Sequence, residues 1–409
     1  MTVINSAADL QNMNLNLADN YELGGNIDAS VIANFVPVGT WGVPFTGTFD
    51  GKGSIISGLT INRPLTDDVG MFGAARGASI TDVIFTGANV IGRDDTAILC
   101  GYAEDTPITD CEINGILEGD LSVGHLVGLY WAKTQNITIS NCSAFGTLTS
   151  NGDDSGGLIG QPFTTLPFTF SVERCYTDVA ITSSNGYAGG ILGRTGGLVT
   201  VERSYARGSI DLIAAGLANT GGVIGLSSWG AGAITNITNC YARGVLTGAA
   251  NSEMSGVLGY TGQDCFLNNS YSACPNSATF IYGVAPSWDA DVIAFGCYFD
   301  NDLIVGVADP DSGGFPASTV LMKTQSTFIG WDFAAIWFIG ANYNNGYPAL
   351  RGMPCFPFFY NGVWINNPTE LRNWAVVWGI PEADLWTASL PAPPPIIAPT
   401  VTTGGAVVS

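Results

Sequence analysis

The side chains able to do chemistry in this chain are few and unevenly placed. Aspartates come in pairs, at Asp94-Asp95 and Asp153-Asp154, with Asp105 and Asp110 close by in sequence. Paired carboxylates suit general acid and base work, and glycoside hydrolysis needs two of them about 5–10 Å apart in a cleft. Aspartate is also a turn residue, because its side chain bonds to nearby backbone, and a turn is the simpler reading here. Arg174, Arg203, Arg207 and Arg243 recur, but beside a column of cysteines. They are not on the acids' side, where a lyase would want its base. Asp300-Asn301-Asp302 and Asp309-Pro310-Asp311-Ser312-Gly313 offer hard oxygens to calcium. The second lacks the distant glutamate of a calcium loop, so turns between elements are the expectation. His125 is the single histidine, and any Ser-His or Cys-His pair would have to use it. It lies inside a glycine-bounded apolar segment and reads as a packing residue. Nine cysteines include no C-x₂-C pair, which argues against zinc. No residue is therefore assigned a catalytic, cofactor-binding or metal-binding role, and the chain is read as no enzyme and as needing no cofactor.

Composition sharpens these exclusions. Of 409 residues, 34 are acidic and 13 basic, a net charge of −21, and lysine occurs only at Lys52, Lys133 and Lys323. Phosphate backbones are bound through many Lys and Arg, so nucleic acid is excluded as a partner. With 54 glycines and 20 prolines a helix bundle is disfavoured, and with 46% apolar residues so is disorder. The start, Met1-Thr2-Val3-Ile4-Asn5-Ser6, shows no secretory signal pattern, and no apolar run is long enough to insert in a membrane.

An internal repeat must position whatever chemistry there is. Glycine-bounded anchors recur: Val69–Gly73, Ala97–Gly101, Gly124–Gly128, Gly156–Gly160, Gly189–Gly193, Gly221–Gly225 and Ser255–Gly259. Between them runs a column of small residues: Cys111, Cys142, Cys175, Ser204, Cys240, Ser270 and Cys297. Three residues before each stands Ile108, Ile139, Val172, Val201, Ile237, Leu267 or Ala294. The residue after is tyrosine at Tyr176, Tyr205, Tyr241, Tyr271 and Tyr298. Six residues after the first five stands Leu117, Leu148, Ile181, Ile210 or Leu246. A period near 30 residues, short β-branched runs and Gly/Asn/Asp/Ser breaks imply stacked strand coils. The predicted fold is a right-handed parallel β-helix, or β-solenoid. Seven or eight coils between Gly73 and Cys297 would make a rod section on the order of 35–40 Å. Glycines are expected at sharp corners with positive φ. The cysteine column is expected to be buried free thiols, because side chains stacked in parallel are poorly aimed for disulfides. Cys265 and Cys274 are the one candidate pair. Asn136, Asn141, Asn236 and Asn268 match glycosylation sequons and read as polar turn and ladder residues.

The anchors resemble the GLUG-motif repeat family, most directly at Gly157-Leu158-Ile159-Gly160 and conservatively at Gly190–Gly193 and Gly222–Gly225. Ser6–Gln11 with Tyr21–Asp28 is similar to that family's N-terminal cap. Phe45–Ile61 is similar to its first coil, and Phe328–Phe333 with Asn344–Leu350 to its closing segment. The resemblance spans about residues 1–352. It implies a β-solenoid of the kind found in surface adhesins, extracellular proteins and phage proteins, with no catalytic role for the motif itself.

The organisation expected is a cap and first coil at 1–68, repeats at 69–300 and a closing segment at 301–352. An aromatic cap with a short helix follows at 353–390, then a proline-rich tail at 391–409. Ser6 and Asp9 read as a capping box, with Leu10, Met13 and Leu17 on one apolar face. Asp50-Gly51 reads as a hairpin turn. Asn367-Pro368-Thr369-Glu370 begins a predicted helix near 368–378 carrying Leu371, Trp374 and Trp378. Together these features point to a non-enzymatic structural or adhesive protein of a virion or extracellular surface: a fibre, spike or decoration protein. Its expected partners are other virion or surface-assembly subunits, bound through the C-terminal segment, and host-surface glycans. A bacterial cell-surface adhesin and a carbohydrate-active β-helix enzyme are the alternatives.

Overall fold

The structure is a computed structural model. It describes residues 1–354 except 214–218, 249–251, 278–279, 287–291 and 306–312, and beyond 354 only 356, 358–360, 363–365 and 371. Contacts divide the chain into two units, Met1–Asp332 and Phe333–Ser409.

The first unit is a parallel β-solenoid of about nine turns with little helix. The sequence columns become ladders. Ile139, Val172, Val201, Ile237, Leu267 and Ala294 are register partners on successive coils. So are Leu117, Leu148, Ile181, Ile210 and Leu246. The anchors supply Val127, Ile159, Leu192, Ile224 and Leu258 in one ladder. Just before them, the short strands Val123–Gly124, Ser155–Gly156, Tyr187–Gly189, Asn219–Gly221, Glu253–Ser255 and Phe280–Tyr282 form a separate six-stranded parallel sheet. All but Ala294 of these inward columns are buried in one continuous core, each large aliphatic contributing about 1.5–3 kcal/mol when fully removed from water. Tyr176, Tyr205, Tyr241 and Tyr271 stack face to face, with centroids 5.1, 4.7 and 5.0 Å apart.

The corners differ from expectation. The residue before each member of the cysteine column holds a left-handed conformation: Asp110, Asn141, Arg174, Arg203, Asn239, Asn269 and Gly296, with φ between 47° and 62°. Only the last is glycine. Asn and Asp tolerate this region because their short side chains bond locally. What holds even arginine there is the next side chain. The γ-atom of Cys142, Cys175, Ser204, Cys240 and Ser270 donates to the carbonyl two residues back at 2.9–3.3 Å. At three of them the same atom also accepts an amide from the coil before: Cys142 N donates to Cys175 Sγ (3.4 Å), Cys175 N to Ser204 Oγ and Cys240 N to Ser270 Oγ (both 3.1 Å). The anchor glycines serve close approach instead. A Cβ on Gly193 would stand 2.5 Å from the Asp154 carbonyl carbon, and one on Gly160 2.4 Å from that of Ser122.

Two other expectations are corrected, and the turn expected at Asp300 and Asp302 is found. Asp50-Gly51 is no hairpin: Thr48–Ser57 is one strand, parallel to Ser79–Ile91 on both sides of a bulge at Asp50–Ser54, where Lys52 and Gly53 take positive φ. Parallel stacking forbids a reversal there, so the turn residues bend the strand round a corner. Cys265 and Cys274 are free and buried. At Asp300 and Asp302 the carboxylates are taken by Thr319: its Oγ1 donates to Asp300 at 2.8 Å and its N–H to Asp302 at 2.8 Å. Asp309 and Asp311 lie outside the described residues.

The N-terminal capping box forms as read. Asp9 N donates to Ser6 Oγ (3.2 Å), and Asn5 N to Asp9 Oδ2 (3.1 Å). The short helix Ala7–Asn12 buries Leu10 against the core, and Met13 follows it in. At the other end of this unit, Phe328 and Trp331 pack on Tyr271 and Tyr298, and Trp331 Nε1 donates to the corner carbonyl of Gly296 at 2.7 Å. The second unit contains the antiparallel pairs Trp337–Phe338 with Ala349–Leu350, and Phe358–Tyr360 with Val363–Ile365. The unit boundary thus falls inside the expected closing segment. The helix expected near 368–378, Leu371 apart, and the tail 391–409 lie outside the described residues.

Three substitutions at two positions separate corner chemistry from anchor packing. Cys175→Ser should change stability by less than about 1 kcal/mol, because serine already makes the same two bonds at 204 and 270. Cys175→Val, which removes both bonds, should cost about 1–3 kcal/mol, and Gly193→Ala a similar amount through overpacking. Urea denaturation of the three variants checks the ordering.

Candidate binding face

In the strands that follow the anchors, the inward–outward alternation is broken at each anchor glycine, so that beyond it Ala75, Ala103 and Tyr130 pack into the core and the residues on either side of them face out. Phe72, Cys100, Val127, Ile159 and Leu192 face in. The outward partners form two columns. One runs Ala74, Tyr102, Leu129, Gln161, with Arg194 at the same position two residues after Leu192. The other runs Arg76, Glu104, Trp131, Phe163 and Gly196.

The second column is a chain of contacts. Glu104 is 6% exposed although it faces outward. Arg76 Nε donates to its Oε2 at 3.0 Å, Lys133 Nζ to its Oε1 at 3.3 Å, and Tyr102 OH to Oε2 at 3.0 Å. Burial and the adjacent Glu104 push the Tyr102 phenol well up. Lys133 Nζ sits 4.5 Å over the Trp131 ring, which lies 5.2 Å from Phe163. At the other end Arg76 stands 6.0 Å from Trp41, which is 61% exposed on a tight turn closed by reciprocal Thr40–Val43 bonds of 3.0 Å. Asp105 turns away from this face. It is a left-handed corner residue that accepts from the Lys133 amide (2.7 Å) and from the amide and hydroxyl of Thr134.

The predicted acid pairs separate in space. Asp94 lies 3.7 Å from Arg93, whose guanidinium also grips Asp67 through two hydrogen bonds. Asp95 instead stacks on Asp68 of the previous coil, because Val69 and Thr96 are bridge partners and each aspartate is the positive-φ residue just before them. Burial first, then its stacked neighbour, lifts the Asp95 carboxyl to about 7, and burial with Asp67 nearby lifts Asp68 to about 6. Asp154 holds the equivalent corner two coils on. Burial raises it to about 6 while Arg194, 3.3 Å away, pulls it down. Asp110 bonds Asn141 (2.9 Å), which bonds Arg174 (2.8 Å), a polar ladder along the cysteine corners. Arg207 faces Asp178 at 3.6 Å. Among the sequons, Asn136 accepts the Thr169 amide and Asn141 is a corner. His125 is fully buried, 3.4 Å from the Gly115 carbonyl, and burial lowers it to about 4. Among the described residues no group of three or more His, Cys, Asp and Glu is placed to hold a metal ion.

Sequence reasoning missed Asp68, Arg76, Glu104, Lys133, Trp131 and Trp41. Asp68 was within reach: it precedes its anchor just as Asp95 and Asp154 precede theirs. The others needed the register of the outward columns.

Acid titration should expose the Asp68–Asp95 stack. A carboxyl raised in the folded state binds its proton more tightly there than in the unfolded chain, so its contribution to stability falls as pH rises from about 4 to 7. His125, lowered by burial, acts oppositely, losing stability as pH falls from about 6.5 to 4. Asp95→Asn should therefore stabilise the protein at pH 7.5, and the gain should vanish near pH 4. Denaturant midpoints of both proteins between pH 4 and 8 check this.

No family model matches the chain, so the GLUG-type resemblance rests on its motif residues. Halomucin of Haloquadratum walsbyi is 33% identical over 143 residues, which is 31% of this chain and 2% of that protein. Two solved structures are also similar. A putative immunoglobulin A1 protease from Bacteroides ovatus has a TM-score of 0.45 and 20% identity, covering 85% of this chain and 91% of that one. An IgA1 protease has a TM-score of 0.49 and 19% identity, covering 81% of this chain and 24% of that one. The chain thus spans a small part of the curated relative it matches.

Proposed function

We propose that this chain is a non-catalytic solenoid module of a protein displayed or released outside the cell, where it does structural or adhesive work. The observation that carries this reading is how the side chains are spent. From Thr2 to Ala317 successive coils stack in parallel, and the aspartates that sequence offers for chemistry hold corners and ladders. Asp105, Asp110, Asp154 and Asp300 each hold backbone or neighbouring side chains. The partial likeness to halomucin supports a place outside the cell, within a longer chain. A virion fibre would use the same architecture, but nothing in the relatives points to a particle, so the surface reading is preferred. Partners are other surface components and glycans.

Two measurements test it. Antibody against this segment should label intact, unpermeabilised source cells or their medium; label confined to the cell interior would overturn the reading. Purified chain incubated with polysaccharides should release no sugar. Release that disappears in Asp95→Asn, at unchanged fold, would make Asp68 and Asp95 a catalytic pair instead.

A further inference from the structure

We propose that the outward column from Trp41 to Phe163 is a binding strip for an acidic polysaccharide, specifically a chain of uronate sugars. The proposal rests on the chain lying outside the cell, where such polymers occur. Arg76 and Lys133 converge on one buried carboxylate, Glu104, which can neutralise only one of them. Asp105 is committed to its corner. Counting Asp105 the four groups balance, but both acids are buried while the Arg76 and Lys133 side chains are partly exposed. The side chains this strip presents to solvent are therefore cations, on a chain whose net charge is −21. An anion that approaches is repelled elsewhere and received here. Arg76 gives only Nε to Glu104, and its side chain stays 37% exposed. A planar guanidinium edge matches a carboxylate in a way a point charge does not. Lys133, 42% exposed, has ammonium protons beyond the one given to Glu104.

The aromatic rings say what carries the carboxylate. Trp131 and Phe163 lie on adjacent coils, tilted 31° to one another, and beyond Phe163 the register partner is Gly196. Among the described residues, the register partner on the next coil thus stacks no side chain on Phe163. Pyranose rings present apolar C–H faces that pack on aromatic rings, while their acid groups lie at the ring edge, within reach of neighbouring cations. Coils rise about 4.8 Å each, close to the length of one sugar unit, so consecutive sugars could meet consecutive coils. Glu104 and Tyr102, held to each other beneath the surface, fix the two cations in place. A nucleic acid would need many more cations. An apolar protein helix would need an unbroken apolar face, and charges interrupt this one.

Affinity electrophoresis of the full chain through gels containing alginate, dextran sulfate or dextran tests the assignment. Alginate should retard the protein, and dextran should not. Arg76→Gln and Lys133→Gln should each weaken retardation at least tenfold. Trp131→Ala should weaken it similarly, while Trp131→Phe keeps most of it. Arg174→Gln, a remote cation, should change nothing, and circular dichroism should show all five folded. Retardation by dextran alone, or by dextran sulfate without alginate, would overturn the uronate assignment. No retardation by any gel would overturn the strip, while leaving surface labelling as the separate test of location. Loss in the cation variants with none in Trp131→Ala would reduce the strip to simple ion pairing and overturn the sugar reading.

Discussion

A coil that returns to itself every 30 residues must turn sharply round an apolar core while leaving no peptide group stranded. This chain meets that constraint with a left-handed residue followed by an inward cysteine or serine whose γ-atom bonds its own strand and, at Cys175, Ser204 and Ser270, the coil before too. A buried unpaired amide costs about 1–3 kcal/mol, and the left-handed conformation costs about 1–2 kcal/mol in a residue with a side chain. The γ-atom bonds its own strand at each of these corners, and at Cys175, Ser204 and Ser270 it takes up an amide of the coil before as well. It explains why cysteine and serine interchange in the column, why none of the eight described thiols pairs, and why arginine is accepted at φ near 50°.

Once the corners are in place, the rest follows from parallel register. Inward columns fuse into one core. Tyrosines one residue past the corner stack at strand spacing. Aspartates one residue before the anchors are brought one above another, so like charges are held together and partly buried. Burial and that neighbour raise Asp95 and Asp68. Stacking also gathers Arg76, Glu104, Lys133 and Trp131 from separate coils into one strip, with the buried carboxylate at its centre.

Much of the architecture was legible beforehand. The apolar, cysteine, tyrosine and leucine columns became ladders because one coil is one repeat, so equal offsets from an anchor mean register partners. The capping box of Ser6 and Asp9 formed because its parts are three residues apart and need no tertiary help. Local signals failed where stacking overrode them. Asp50-Gly51 has hairpin chemistry, yet the strand on both sides is held parallel to the same neighbour. The anchor glycines have turn chemistry, yet their lack of a side chain is used to admit the adjacent backbone. The aspartates read as turn residues do hold corners, but neighbours in the chain point to different surroundings, so Asp95 finds its partner in Asp68 of the previous coil.

By itself the sequence determined the repeat, its inward face and its corner positions, since all three depend on residue type at a fixed spacing. The tertiary structure decided which outward side chains meet. Trp41, Arg76, Glu104 and Trp131 are spread over 90 residues and share no motif. Outward positions face no packing constraint that would force a recurring residue type, so only the register of the stacked strands shows that they lie side by side.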